Sequence, residues 1–233
     1  MSSAIVDVSK PAGPKRVFLE GLPGAGKSTL CRRLQERDGV NYVPEVYDTG
    51  AIEIAKDYII PSTASSALAR AIEFERGRHV DHDAVFDRSF LTWLVLAGAI
   101  HIEDRPDVFE ESVETIGKAI DDRRILLPSA IVYLEADPAT SLARQSSRGA
   151  GATSEPGMEI FSDIKTLQRL RVADRAILDS CCDIPLLVID GRLPTEAAAD
   201  SVLGVMSTEH DTTASKINLD LYAQKMFSVR RQW

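Results

Sequence analysis

The eight residues Gly21-Leu22-Pro23-Gly24-Ala25-Gly26-Lys27-Ser28 restrict what this chain can fold into more than any other stretch. They match G-x-x-x-x-G-K-[ST] at every fixed position, follow the apolar run 17–20 and open the helix-like run 27–37. Glycines at these spacings let the backbone wrap closely, so that successive N–H groups and a helix N-terminus face an anion. Such a loop cradles a phosphate chain, with Gly21, Gly24, Ala25, Gly26, Lys27, Ser28 and Thr29 as the expected contacts. Lys27 is expected to reach the outer phosphates and the Ser28 hydroxyl to ligate magnesium, which implies ATP and Mg2+ as ligands and leaves GTP open as the donor. A chance Gly-rich turn would not need both the strand before it and the helix after it.

Around the loop, short apolar runs alternate with longer helical ones. Strands are expected over 17–20, 40–46, 83–88, 130–135 and 185–190. Helices are expected over 27–37, 64–79, 90–100, 107–124, 138–147, 160–179 and 195–206. Five strands, each followed by helical sequence, predict a three-layer, doubly wound five-stranded parallel sheet. Ligands of such sheets lie beyond the carboxyl ends of the strands, which directs attention to Gly21, Glu45, Asp87 and the turn after Glu135. The expected organisation is a disordered lead-in over 1–14, one domain over 15–207 with a mobile lid at about 144–158, and a tail over 208–233. The tail is basic and mildly amphipathic. That pattern suits packing on the domain itself or on a second copy of the chain, which leaves a homodimer open.

Composition narrows the partners. A net charge of -8 argues against broad adhesion to a nucleic acid polymer or an anionic membrane, and no run approaches a membrane span. Cys31, Cys181 and Cys182 form neither a disulfide framework nor a metal-binding spacing, so a reducing cytoplasm is the expected setting. A small phosphorylated or hydroxylated molecule is the partner this balance permits.

Three further groups point to what is done with the phosphate. Asp87-Arg88-Ser89 stands at the end of the third strand, where Asp87 can hold magnesium and Arg88 can fork onto a phosphate or a hydroxyl. The plainer reading is an Asp–Arg surface pair with Ser89 capping the next helix. Glu45 ends the second strand, where a carboxylate can take a proton from an attacking hydroxyl, and whether Glu45 or Asp87 does so stays open. Arg144 and Arg148 are four apart before the Gly-rich segment 149–157, so both fit one helix face and one anion site on a lid.

These motifs, together with Tyr133-Leu134-Glu135-Ala136-Asp137-Pro138 and the Arg144-x-x-x-Arg148-Gly149 that follows, resemble the thymidylate kinase and deoxynucleoside kinase group over roughly residues 16–206. The resemblance implies a P-loop kinase. Asp87-Arg88 then looks like the group's acidic-Arg motif near the phosphoryl acceptor, Glu45 like the deoxynucleoside kinase base, and residues 132–148 like the strand, turn and helix leading to the lid. The chain departs from the group in carrying Ser89 where thymidylate kinases have tyrosine, and Asp87 where deoxynucleoside kinases have glutamate. The acceptor it implies is a nucleoside or nucleoside monophosphate, with an antibiotic or other metabolite as the alternative. A regulatory ATPase acting through a protein partner is the reading of another class.

Overall fold

The computed structural model describes residues 14–45, 80–125, 127–147, 161–208 and 216–232. Five strands, β1 (Arg16–Glu20), β2 (Asn41–Val43), β3 (Ala84–Asp87), β4 (Ala130–Glu135) and β5 (Leu186–Asp190), form one sheet in the order β2-β3-β1-β4-β5. Every pairing is parallel. Strand β1 is central, so the loop that follows it emerges where the sheet's connections diverge to either side.

Alternation along the buried strands separates two cores. Phe18, Phe86, Ile131 and Tyr133 face one layer, packed on α2 (Phe90–His101), α3 (Pro106–Asp121) and α5 (Ile164–Leu178). Val17, Leu19, Val85, Val132 and Leu134 face the other, packed on α1 (Lys27–Asp38) and α6 (Thr195–Ser207). Both faces of the sheet are covered, which is what near-continuous apolar strand sequence requires. Helix α4 (Pro138–Ser147) carries the chain away from the end of β4.

Several boundaries differ from the sequence expectation for local reasons. Strand β2 stops at Val43 rather than reaching residue 46, because Pro44 has no N–H for the ladder. Glu45 therefore lies just beyond the strand. Helix α3 starts at Pro106, whose missing N–H costs nothing at the first position, and ends before Arg123, which has a positive φ of 56°. Helix α5 starts at Ile164, four residues later than expected, because Asp163 caps it by accepting from Thr166 N at 2.9 Å. Trp93 of α2 is half-buried.

The tail folds into α7 (Leu219–Val229) followed by a 3-10 turn, Arg230–Gln232. Tyr222 and Met226 are fully buried against the layer containing α2, α3 and α5, and the Tyr222 hydroxyl donates to Leu94 O at 2.7 Å. Gly98 makes room for them: a Cβ there would stand 2.7 Å from the Tyr222 hydroxyl and 2.8 Å from Met226 Cε. The tail thus braces the domain's own core. The expected helix 64–79, residues 1–13 of the expected lead-in 1–14 and most of the expected lid lie outside the described residues.

Candidate active site

The loop after β1 is shaped by its glycines. Gly21, Gly24 and Gly26 have φ of 136°, 80° and 106°, a region that favours glycine. A Cβ on Gly21 would meet Leu134 O at 2.5 Å, so this residue is held glycine by close approach as well as by conformation. At Gly26 nothing lies within 4 Å of a Cβ position, so the loop is open on that side. Helix α1 starts at Lys27 with no side-chain cap, which leaves its first N–H groups available to an anion.

Lys27 is buried, and its ammonium donates to Gly21 O at 2.9 Å and Leu22 O at 3.0 Å. The amine is folded onto the loop's own carbonyls, a position from which it can exchange them for phosphate oxygens. Burial, followed by the charge of Arg88, pushes its pKa down to about 8 against the pull of Asp87, Glu45 and Glu20. Ser28 is half-buried and Thr29 is exposed. Thr29 joins Gly24, Ala25, Gly26 and Arg144 in lining a cleft of about 390 Å³ that runs to the β5–α6 turn, Asp190 to Thr195. A cleft of that size suits a small-molecule ligand.

Across the loop, β3 ends in Asp87, which is fully buried and receives the Tyr42 hydroxyl at a long 3.4 Å. Arg88 follows with a positive φ of 61°, its N–H bonded to Leu19 O at 3.0 Å. Its guanidinium pairs with Glu45, Nε to Oε1 at 2.8 Å. Burial opposes the Arg88 charge, but Glu45, Asp87, Glu20 and Asp174 together hold its pKa above the ordinary value. Lys27, Asp87, Arg88 and Glu45 therefore gather at one place, as the strand ends predicted. Asp87 and Arg88 are too enclosed to be a surface pair, while Ser89 does cap the next helix.

Arg144 lies on the other side of the loop. It donates from Nη2 to Gly191 O at 2.9 Å and from Nη1 to Gly24 O at 3.4 Å. In this position it bridges the phosphate loop to the β5–α6 turn and forms a wall of the cleft. Arg148 lies outside the described residues, as do Tyr47 and Val46.

Two buried acids escaped the sequence reading. Glu20, the last residue of β1, is 3% exposed and accepts from the Ser89 hydroxyl at 2.5 Å and the Thr92 hydroxyl at 2.9 Å. Burial pushes its pKa up to about 7. Asp174 of α5 is 6% exposed and accepts from the Tyr133 hydroxyl at 3.4 Å, with burial raising its pKa to about 6. It lines a small pocket of about 10 Å³ with Arg88, Thr92, Phe161 and Leu170 beneath Gly21 to Pro23. Each acid had a visible signal. Glu20 ends the central strand directly after the apolar run Val17-Phe18-Leu19, and Asp174 interrupts the apolar helix stripe Leu167, Leu170, Ile177. Glu135, at the end of β4, is held by Arg171 at 3.0 Å and by Arg175.

A parallel doubly wound sheet with this loop after its central strand defines a P-loop nucleotide-binding fold. Residues 16–148, more than half of the 233-residue chain, match the family described as AAA domain, and the chain belongs to that family. No curated protein matches the sequence. Among solved structures, the chain is similar to a deoxyadenosine kinase from M. mycoides in three ligand states. The form with products dCMP and a flexible dCDP superposes with a TM-score of 0.60 at 16% identity, covering 81% of this chain and 96% of that one. The form with dATP gives 0.60 at 16% identity, covering 83% and 100%. The form with dCTP gives 0.62 at 15% identity, covering 81% and 97%. At these identities the likeness is one of fold: a P-loop architecture of the deoxynucleoside kinase type. No helix among the described residues is long and apolar enough to cross a membrane.

Proposed function

We propose that the chain is a magnesium-dependent kinase that transfers the terminal phosphoryl group of ATP to a small molecule, a (deoxy)nucleoside or nucleoside monophosphate being the acceptor class. The observation that carries this reading is the Arg88–Glu45 pair, enclosed beside Lys27 and Asp87 at the mouth of the phosphate loop. A carboxylate and a guanidinium set opposite the loop can receive the proton of an acceptor hydroxyl and orient it. The fold shared with a deoxyadenosine kinase solved with deoxynucleotides supports the acceptor class.

In this reading the loop's N–H groups and Lys27 bind the donor phosphates, and the cleft walled by Arg144 takes the remainder of the nucleotide. A magnesium ion held by the Ser28 hydroxyl and Asp87, together with the donor's own oxygens, would supply charge neutralisation on the transferring group. Glu45 accepts the proton of the attacking hydroxyl as its oxygen bonds to phosphorus. The bond to the ADP oxygen breaks, and ADP leaves with the electron pair. Arg88 offsets charge on the acceptor side and orients Glu45. An acceptor phosphate is already ionised and needs no base, so the Glu45–Arg88 pair favours the hydroxyl of a nucleoside over a monophosphate.

ADP release with MgATP, measured against nucleosides, nucleoside monophosphates and hydroxylated antibiotics with a no-acceptor blank, tests the proposal. Stimulation by one class supports it and names the acceptor. Steady turnover in the blank, unchanged by every acceptor, would favour a regulatory ATPase.

A further inference from the structure

Glu20 has no part in the chemistry above, yet it joins the two halves of the site. It is the residue immediately before Gly21, and its side chain reaches across to the first turn of α2. The Ser89 hydroxyl donates to one of its carboxylate oxygens and the Thr92 hydroxyl to the other. Ser89 is also the N-cap of α2, accepting from Leu91 N at 3.1 Å. One line of hydrogen bonds therefore runs from the Leu91 N–H through the Ser89 hydroxyl to Glu20.

Arg88 sits between that clamp and β3. Its left-handed backbone is unusual for an arginine and persists only where the surroundings over-determine it. Leu19 O holds its N–H from one side, and the Glu20–Ser89 contact fixes the next residue from the other. With the backbone so held, the guanidinium points to Glu45. We infer that Glu20 is a positioning residue for the acceptor side: by holding Ser89 and Thr92 it sets the turn that aims Arg88 at Glu45, and so couples the phosphate-loop strand to the acceptor arginine. The inference rests on the kinase reading for its effect on turnover, but its structural half stands without it. Keeping a carboxylate here works against burial, which already raises its pKa, and an uncharged residue would be the cheaper occupant if packing alone were required.

Two variant sets test this. Glu20→Gln keeps the volume and removes the acceptor for one hydroxyl. Thr92→Val removes one donor at constant shape, and Thr92→Ser keeps it. With MgATP and a saturating acceptor, Glu20→Gln lowers kcat about 10- to 100-fold with KM for ATP little changed, the size expected for a lost bond to a charged group. Thr92→Val follows it in direction, and Thr92→Ser retains most of the turnover. The second readout needs no activity: the Arg88 Nε–H signal in nitrogen-15 NMR, assigned with Arg88→Lys, is shifted in the native chain and moves towards exposed arginines in Glu20→Gln and Thr92→Val. An unmoved Arg88 signal in folded variants would overturn the inference, as would wild-type kcat in Glu20→Gln. A native chain that phosphorylates nothing while its Arg88 signal still responds would sink the kinase reading and leave the positioning role standing.

Discussion

Arg88 and Glu45 form an ion pair, Nε to Oε1 at 2.8 Å, although one follows the third strand and the other lies just past the second. Two neighbouring strands of a parallel sheet deliver their carboxyl ends to the same place, so residues far apart in sequence meet beside the phosphate loop. Asp87 is fully buried whereas Glu45 is half-buried, and the mechanism proposed above therefore gives the proton to Glu45.

Glu45→Gln keeps the shape and removes the proton acceptor of the proposed mechanism. Its expected effect is a fall in kcat of about 10²- to 10⁴-fold, the usual worth of a positioned general base, with KM for ATP little altered. Steady-state kinetics with donor and acceptor varied separately measures both. A loss confined to the acceptor KM would make Glu45 a binding group instead.

Gly21→Ala should destabilise the fold. The new Cβ would meet Leu134 O at 2.5 Å on a backbone whose φ is 136°. Strain and overpacking together should cost about 2–5 kcal/mol, read as a lower urea midpoint. Gly26→Ala meets no atom within 4 Å, so its smaller loss reports the backbone alone and its effect should fall on ATP binding.

Arg144→Ala removes the bridge between Gly24 O and Gly191 O. The cleft wall loosens while Lys27, Glu45 and Arg88 stay in place. KM for ATP should rise by about tenfold, in keeping with the loss of partly exposed charged hydrogen bonds, and kcat should change much less. Arg144→Lys should not rescue it, since one ammonium cannot span two carbonyls as a guanidinium fork does.

The pH dependence of stability should change in Glu20→Gln. Glu20 titrates near 7 in the folded chain and near its ordinary 4.5 when unfolded, so the folded chain holds the extra proton between those values. Its contribution to stability is full below about 4.5 and is lost as pH rises through about 7. The groups acting on it are Ser89 and Thr92 of α2, Arg88 at the end of β3, Lys27 of α1, Asp174 of α5, and Cys181 beyond α5. All of them remain in the variant. Relative to Glu20→Gln, the native chain should lose melting temperature between pH 5 and pH 8. A constant difference across that range would contradict the raised titration.

Local features of the sequence carried the phosphate loop and the strands beside it. Residues 17–28 spell strand, loop and helix within one short window, and the bounds expected for β4 and α4 match those observed. The five-stranded parallel sheet followed from alternation of the two element types, since right-handed crossovers leave few other arrangements. What stayed hidden depends on contacts between distant elements. Asp174 becomes a site residue only because α5 packs on α2 and brings it beneath the loop. The Arg144 partners are backbone carbonyls, to which residue-type reasoning is blind. The tail read as mildly amphipathic, but the surface it covers, Gly98 and Leu94 of α2, is set only by the tertiary fold.

The fate of the terminal phosphoryl group of ATP tests the central claim most directly. Oxygen-18 placed on that group and followed by mass spectrometry distinguishes transfer from hydrolysis, with Lys27→Ala as the control. The account predicts labelled phosphoryl on the hydroxyl of a nucleoside acceptor, and none with Lys27→Ala. Label found only in inorganic phosphate, at a rate no acceptor changes, would contradict it.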